Sequence, residues 1–578
     1  MMGATISRPL GSVVLLLLTF FIGAAAYSNS LGNGFVWDDA LVVSDNRWIQ
    51  DLGNLRSFFG PEYLEGSGES THRPVVTITY FLDYALWGKD PFGFHLTNLL
   101  LHLVNSILVM MLSSRLLSSL WAGFLSAAAF SCHPALTEAV NGIAFREDLL
   151  CMGFCLTSWL CFRGLERGEG GKKMVLWTGC LAGFIFALYS KETAAVLPAV
   201  LAADVLILGR EGGWTSVRSA LLRLVPVAAV LSIFSALSLT VLKGAPGRAL
   251  FPDRWSAFCT MPMVLHQYLK LMLLPLDLRA LYDRPAITSG LSWEALYCIG
   301  LLAALAGLAL LSRKREPRVT FAICYFLLTI APVSHLFFSF WVLIAERFLY
   351  MPILSFCWVL SIGAQRAWFI VCQAKGGRAG SIAVGGACAA LLLAYVYSTH
   401  ERNPVWKDSL SLWSDTVIKA PRSAAARTNL GIAYKEAGFL DLAMEQYEVA
   451  LKICPRDPDV HNNMGDVWVA RKDTAKALEE FAKALSIDPC MKNSLRMSGY
   501  LHLLEGRGDE AWVKALEFQR CFPEDPEAHR LIGLILFAEG REEEARDHVR
   551  RFLVMGGDPS LNPDIRPLIG DLGLAGGD

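Results

Sequence analysis

Along the first 398 residues, apolar runs of about 17 to 25 residues alternate with short polar stretches; beyond about Asn403 the spacing turns polar and amphipathic. A helix needs about 20 apolar residues to cross the hydrocarbon of a bilayer. The pattern therefore predicts eleven spans, near 10–27, 93–114, 117–135, 148–163, 174–190, 193–209, 221–242, 291–311, 318–336, 343–363 and 381–398. A further stretch, 257–275, holds His266, Lys270 and Pro262, and is read as an interfacial or re-entrant helix. The fold class expected is all-α: a polytopic helical membrane bundle over 1–400, followed by a helical solenoid.

Lys and Arg in short loops favour the cytoplasmic side. With Arg8 inside, residues 28–92 form a first extracytoplasmic loop, and the basic loops 163–173, 210–223, 313–318 and 366–378 fall inside. The last span then delivers the C-terminal half to the extracytoplasmic side. Gly23-Ala24-Ala25-Ala26 after an apolar run also fits a cleaved signal peptide, which would leave the remaining topology unchanged.

The C-terminal half repeats. Gly431, Gly465, Gly499 and Gly533 stand 34 apart, as do Ala443, Ala477, Ala511 and Ala545, and Pro455, Pro489 and Pro523. Small residues let paired helices approach and proline ends the second helix, which is the tetratricopeptide pattern. Four repeats are expected over 424–557, with a juxtamembrane helix at 401–423 and a tail at 558–578. Such arrays bind partners, most often peptides. Asn429 and Asn463 are also 34 apart, and stacked carboxamides can donate to and accept from an extended peptide backbone; Met497 and Leu531 take their place in the later repeats. Two surface asparagines coinciding by chance is the plainer reading.

Composition narrows the chemistry. The chain is 54% hydrophobic and 18% charged with a net charge of −1, so it offers no field for nucleic acid. Most of its 14 cysteines lie inside apolar runs, and their spacing suggests neither a metal site nor a disulfide framework. No HExxH or related ligand pattern occurs, so no metal or other cofactor is expected.

Ionisable groups near hydrocarbon are costly, which makes those in the membrane half informative. They fall in five clusters: Asp38-Asp39; His72-Arg73 with His95, Asn98 and His102; His133, Glu138, Arg146, Glu147 and Asp148; Lys191-Glu192; and Glu346-Arg347-Tyr350 at the start of the tenth expected span. The topology puts all of them at the extracytoplasmic face, so one shared site accounts for them economically. Plainer readings stand beside it: ion pairs tying helix ends, core histidines with ordinary partners, and a solvated acidic loop. Two adjacent carboxylates beside Phe35 and Trp37 would nonetheless raise the proton affinity of one, which suits a base that deprotonates a hydroxyl.

FVWDD with Asn46 following, RPVVTITYFLDY, GFHLTNLLLH, HPALTEAVNGIAFREDLL, SKETAAVLP and AERFLYMP occur in that order ahead of the repeats. In these the chain resembles the transmembrane and tetratricopeptide-repeat O-mannosyltransferases of the C-type glycosyltransferase superfamily. The resemblance implies transfer of a hexose, typically mannose, from a polyprenyl phosphate to Ser or Thr hydroxyls of proteins, with inversion and without a nucleotide pocket. It implies Asp38 as base with Asp39 in support, and Arg73, Arg146, Lys191 and Arg347 as ligands of the donor phosphate. His72, His95, His133, Glu138, Asp148, Glu192, Glu346 and Tyr350 are further candidates for the site. The chain departs from the family in having four repeats and in Leu281-Tyr282-Asp283 where Asp-Tyr is usual. A transferase acting on lipid or cell-wall glycan, or a non-catalytic membrane scaffold, remains the alternative.

Overall fold

The computed structural model describes residues 8–56, 73–166, 168–209, 213–241, 253–283, 292–335, 342–375, 377–557, 559, 562 and 564–571, and among these every regular element is helical. Two compact units emerge, Met1–Asp415 and Thr416–Asp578. Their border passes through the helix Ser409–Lys419, inside the segment expected as juxtamembrane.

Among the described residues of the first unit, seven stretches are long and apolar enough to cross a membrane: Gly11–Gly32, Pro91–Leu116, Gly170–Leu188, Val217–Ser238, Ala295–Arg315, Ile353–Ala374 and Gly377–Trp406. This is an integral membrane protein, but eleven spans are not what its helices give. The expected spans 117–135 and 193–209 shrink to Leu120–Ser131 and Leu197–Leu208, of 12 residues each, and 318–336 to the 14 residues Pro317–Ile330. At 1.5 Å per residue, helices this short fall well below the ~30 Å of hydrocarbon. The fourth, Arg146–Gly164, opens on three charged residues. Apolar length in the sequence was a guide to burial here as much as to crossing: Gly123, Ala127 and Ala128 let Leu120–Ser131 pack closely in the bundle, where its apolar side chains are mostly buried. The stretch 257–275 forms one continuous helix, Arg254–Leu273, with Pro262 inside it.

Polar side chains of Pro91–Leu116 order the bundle by holding backbone on neighbouring segments. Asn98 Nδ2 donates to the carbonyls of Val140 (3.2 Å) and Gly142 (3.1 Å), and Asn105 Nδ2 to that of Leu149 (2.8 Å). A second knot joins the first loop to the end of the last span. Asn403 Nδ2 donates to Ala26 O (2.8 Å) and Asn29 Oδ1 (2.7 Å), its Oδ1 accepts from Asn141 Nδ2 (3.0 Å), and Gly34 N donates to Lys407 O (2.8 Å). Buried amides need such partners, so residues 26–34 are held where Ala26, Asn141 and Asn403 meet.

The second unit holds four helix pairs: Ala424–Glu436 with Leu440–Ile453, Pro458–Ala470 with Thr474–Ile487, Lys492–Leu504 with Gly508–Cys521, and Pro526–Ala538 with Glu542–Val554. The 34-residue glycine period has a steric cause, since a Cβ at Gly431 would run into the Tyr447 ring and one at Gly465 into the Phe481 ring. Asn429 and Asn463 are half-buried on the first helices of their pairs. One expectation is corrected: Cys490 and Cys521 form a disulfide. Their separation of 31 residues, just short of the repeat period, brings the ends of successive second helices together, a proximity that cysteine spacing read alone does not reveal.

Replacing Gly465 by alanine is expected to cost about 1–3 kcal/mol through overpacking against Phe481. Hydrogen exchange over 458–487 in the full chain measures it, and unchanged protection would show that the close approach is dispensable.

Candidate functional site

The first loop folds as a 3-10 turn, Ser28–Gly32, an extended stretch, and a short wide turn, Ala40–Ser44. Between them Trp37 has φ +57°, a left-handed conformation that is an outlier for a bulky residue. Such strain costs on the order of 1–3 kcal/mol and persists only where the surroundings enforce it. Its consequence is that the two adjacent carboxylates do different things.

Asp39 is buried and committed to backbone. Its Oδ2 accepts from Val36 N (3.1 Å) and its Oδ1 from Ala144 N (2.7 Å), which fastens the loop to the turn ahead of the helix Arg146–Gly164. Burial pushes its carboxyl up to about 7, against the pull of these N–H groups. Asp38, half-buried, has a carboxylate with no hydrogen-bond partner among the described residues. Burial raises its proton affinity above the usual carboxylate range, while the Arg347 guanidinium nearby opposes that rise.

Arg347 lies in the 3-10 turn Glu346–Leu349, which precedes the helix Ile353–Lys375 instead of beginning a span. Glu138, fully buried, accepts from both its backbone N (Oε2, 3.0 Å) and its guanidinium. Burial raises the Glu138 carboxyl, and Arg347 holds it back. Aromatic rings surround the cation: its Cζ is 4.1 Å from the Phe145 centroid, 5.2 Å from Phe348 and 5.7 Å from Trp37. Lys191 Nζ also lies near Phe348, 5.5 Å from its centroid. Lys191 bonds to Glu147 (2.9 Å) and Asp148 (2.7 Å), and burial lowers its proton affinity. Arg73 pairs with the same Glu147 and with Glu192 (3.1 Å). Asp38, Arg347, Lys191 and Arg73 thus form a chain of charges linked through Phe348 and Glu147.

Other expected residues belong elsewhere. Arg146 is wholly buried, with its guanidinium spent on Asp83 (2.6 Å), Asn98 (2.7 Å), Thr79 (2.9 Å) and the Phe94 carbonyl (3.0 Å). Four of its five guanidinium N–H groups are spent and the side chain is sealed from solvent, so it ties the bundle together and is not presented to a phosphate. Tyr350 OH meets His102 Nδ1 (2.9 Å) and Asn105 Nδ2 (3.1 Å) in the core. His133 is buried between the Met272 carbonyl (3.1 Å) and Ala135 N (3.2 Å). His95 Nε2 meets the Gly34 carbonyl at 3.2 Å, holding the loop at its base. Glu346 turns away from Arg347: its Oε1 accepts from Tyr282 OH (2.6 Å) and Arg279 N (2.5 Å), and burial lifts it to about 8. His72 lies outside the described residues. Among those described, no group of three or more His, Cys, Asp or Glu could hold a metal ion.

Sequence reasoning missed Asp83, the counter-ion of Arg146, and Ser409 and Trp413, which touch Trp37. Asp83 sits in RPVVTITYFLDY, where a lone acid in an apolar run is itself a signal. Nothing in the spacing marks Trp413.

Residues 71–239 match the family model described as dolichyl-phosphate-mannose-protein mannosyltransferase, and 431–470 and 506–560 match tetratricopeptide-repeat models. Protein O-mannosyl-transferase TMTC3 of Homo sapiens is 25% identical over 517 residues, 82% of this chain and 55% of that protein. Tmtc3 of Drosophila melanogaster is 25% identical over 549 residues, covering 81% and 58%. Drosophila Tmtc2 reaches 34% over 198 residues, 32% of this chain and 21% of that one. The chain is thus similar to proteins named protein O-mannosyl-transferases over about four-fifths of its length. It spans a little over half the length of the two TMTC3 proteins it matches.

The division of labour between the two acids is testable by stability alone. Asp39→Ala strips two amide N–H groups of their acceptor and is expected to cost about 1–3 kcal/mol. Asp38→Ala is expected to stay within about 0.5 kcal/mol of wild type. Thermal unfolding of both variants in detergent decides it, and equal losses would contradict the assignment.

Proposed function

We propose that this chain transfers a mannosyl group from a polyprenyl-phosphate donor to Ser or Thr hydroxyls of proteins at the extracytoplasmic membrane face. One observation carries the reading: Asp39 is consumed by backbone while Asp38 is left free beside Arg347. Asp38 takes the proton of the acceptor hydroxyl, the hydroxyl oxygen bonds to the anomeric carbon, and the bond from that carbon to the phosphate oxygen breaks. Direct displacement inverts the configuration. The leaving polyprenyl phosphate is met by Arg347, whose Nε and Nη2 have no hydrogen-bond partner among the described residues. Lys191 and Arg73 lie next along the chain of charges and lend their fields to the same phosphate. The step draws on no metal.

In this reading the repeats present the acceptor, with Asn429 and Asn463 offering carboxamides to its backbone. Two features support an extracytoplasmic position for them: the distribution of Lys and Arg among the loops, and the Cys490–Cys521 disulfide, a bond typical of oxidising compartments. Non-reducing peptide mapping of protein taken from native membranes is expected to recover that link, and two free thiols there would count against the topology.

For the chemistry, Asp38→Asn in purified, folded protein is expected to lower mannosyl transfer by about 10²–10⁴-fold. Asp38 works only when deprotonated, so wild-type transfer rises with pH, and its acid limb lies above that of an ordinary carboxylate because burial raises this group. Transfer retained in Asp38→Asn would remove the base and with it the proposal.

A further inference from the structure

Trp37 is held in its left-handed conformation from several directions. Its amide N donates to Ser409 Oγ (3.4 Å), and its ring meets Trp413 edge to face with centroids 5.2 Å apart and planes at 74°. Phe145 makes a second edge contact at 5.7 Å, and the Arg347 guanidinium lies 5.7 Å from the ring centroid. Phe145 and Arg347 already belong to the cation site. Ser409 and Trp413 do not; they lie on the helix Ser409–Lys419, and Trp413 is only 3% exposed.

The backbone at residue 37 sets the direction of the peptide that follows, and therefore where Asp38 points. Turning residue 37 into an ordinary extended or right-handed conformation would swing Asp38 away from Arg347. It would also break the bracket that Asp39 makes between Val36 N and Ala144 N. A strained residue next to a reacting group, enforced by a ring from a distant stretch of chain, is a way to pre-organise that group.

We infer that Trp413 is a positioning residue for the transfer: it holds Trp37 in the left-handed conformation that aims Asp38 at the acceptor hydroxyl. The inference rests on the reading of Asp38 as the base. It gives the helix Ser409–Lys419 a part in the reaction although none of its side chains touches the reacting atoms.

The test uses the full chain in detergent with a polyprenyl-phosphate-mannose donor and a Ser/Thr-containing acceptor peptide, with rates taken per folded molecule. Trp413→Ala is expected to lower kcat by about ten- to a hundredfold, the cost of a misaimed group, with KM for the donor within about twofold. Its acid limb is expected to move to lower pH, because Asp38 becomes better hydrated. Trp413→Phe keeps a ring edge against Trp37 and is expected to recover most of the rate. Ile418→Ala, on the same helix but exposed, is expected to match wild type. If Trp413→Ala does not fold, Trp413→Leu keeps part of the apolar bulk without the ring edge and carries the same expectation. A folded variant with wild-type kcat and an unmoved acid limb, alongside an inactive Asp38→Asn, would overturn the inference and leave the proposed function standing. An active Asp38→Asn would overturn both.

Discussion

An ion near hydrocarbon must find a counter-ion or lose its charge, and this constraint organises the charged cluster of the membrane unit. Arg146 is met by Asp83, Lys191 by Glu147 and Asp148, Arg73 by Glu147 and Glu192, and Arg347 by Glu138. Buried pairs of this kind add little net stability, because desolvation offsets the attraction. Their effect is on position: each pins a turn or a helix end against another. Against that background Asp38 is conspicuous as a carboxylate near a cation with no hydrogen bond of its own among the described residues.

The first loop is held from below and from beside. His95 and Asn403 hold its backbone near residues 26–34, Asp39 brackets Val36 and Ala144, and Trp37 is wedged among Phe145, Arg347 and Trp413. The matched mannosyltransferase region begins at residue 71, beyond Asp38 and Asp39. The assignment of Asp38 therefore stands on the loop's own geometry and on the FVWDD resemblance.

Much of this was legible in the sequence, for identifiable reasons. The 34-residue glycine period is a steric requirement at Gly431 and Gly465, so the repeats were readable residue by residue. Loop charge led to the expectation that Asp38, Arg73, Glu138, Lys191 and Arg347 share one site, and the contacts link them. Loop charge does not say which partner a side chain takes. Arg146 and Arg347 both stand beside acids in sequence, yet one is sealed against Asp83 and the other keeps part of its guanidinium uncommitted. Span count failed where apolar length reflected packing inside the bundle, as at Leu120–Ser131 and Leu197–Leu208. The contact of Trp413 with Trp37 depends on how residues 372–376 positions apart meet, and no local pattern encodes that.

In the proposed reaction Asp38 is the free base and Arg347 the first cation met by the donor phosphate. A structure of the full chain with a polyprenyl-phosphate-mannose donor bound tests it most directly. The phosphate is expected on Arg347 and the anomeric carbon facing Asp38, with room for one hydroxyl between them. A donor phosphate seated away from Arg347, with Asp38 turned from the sugar, would contradict it.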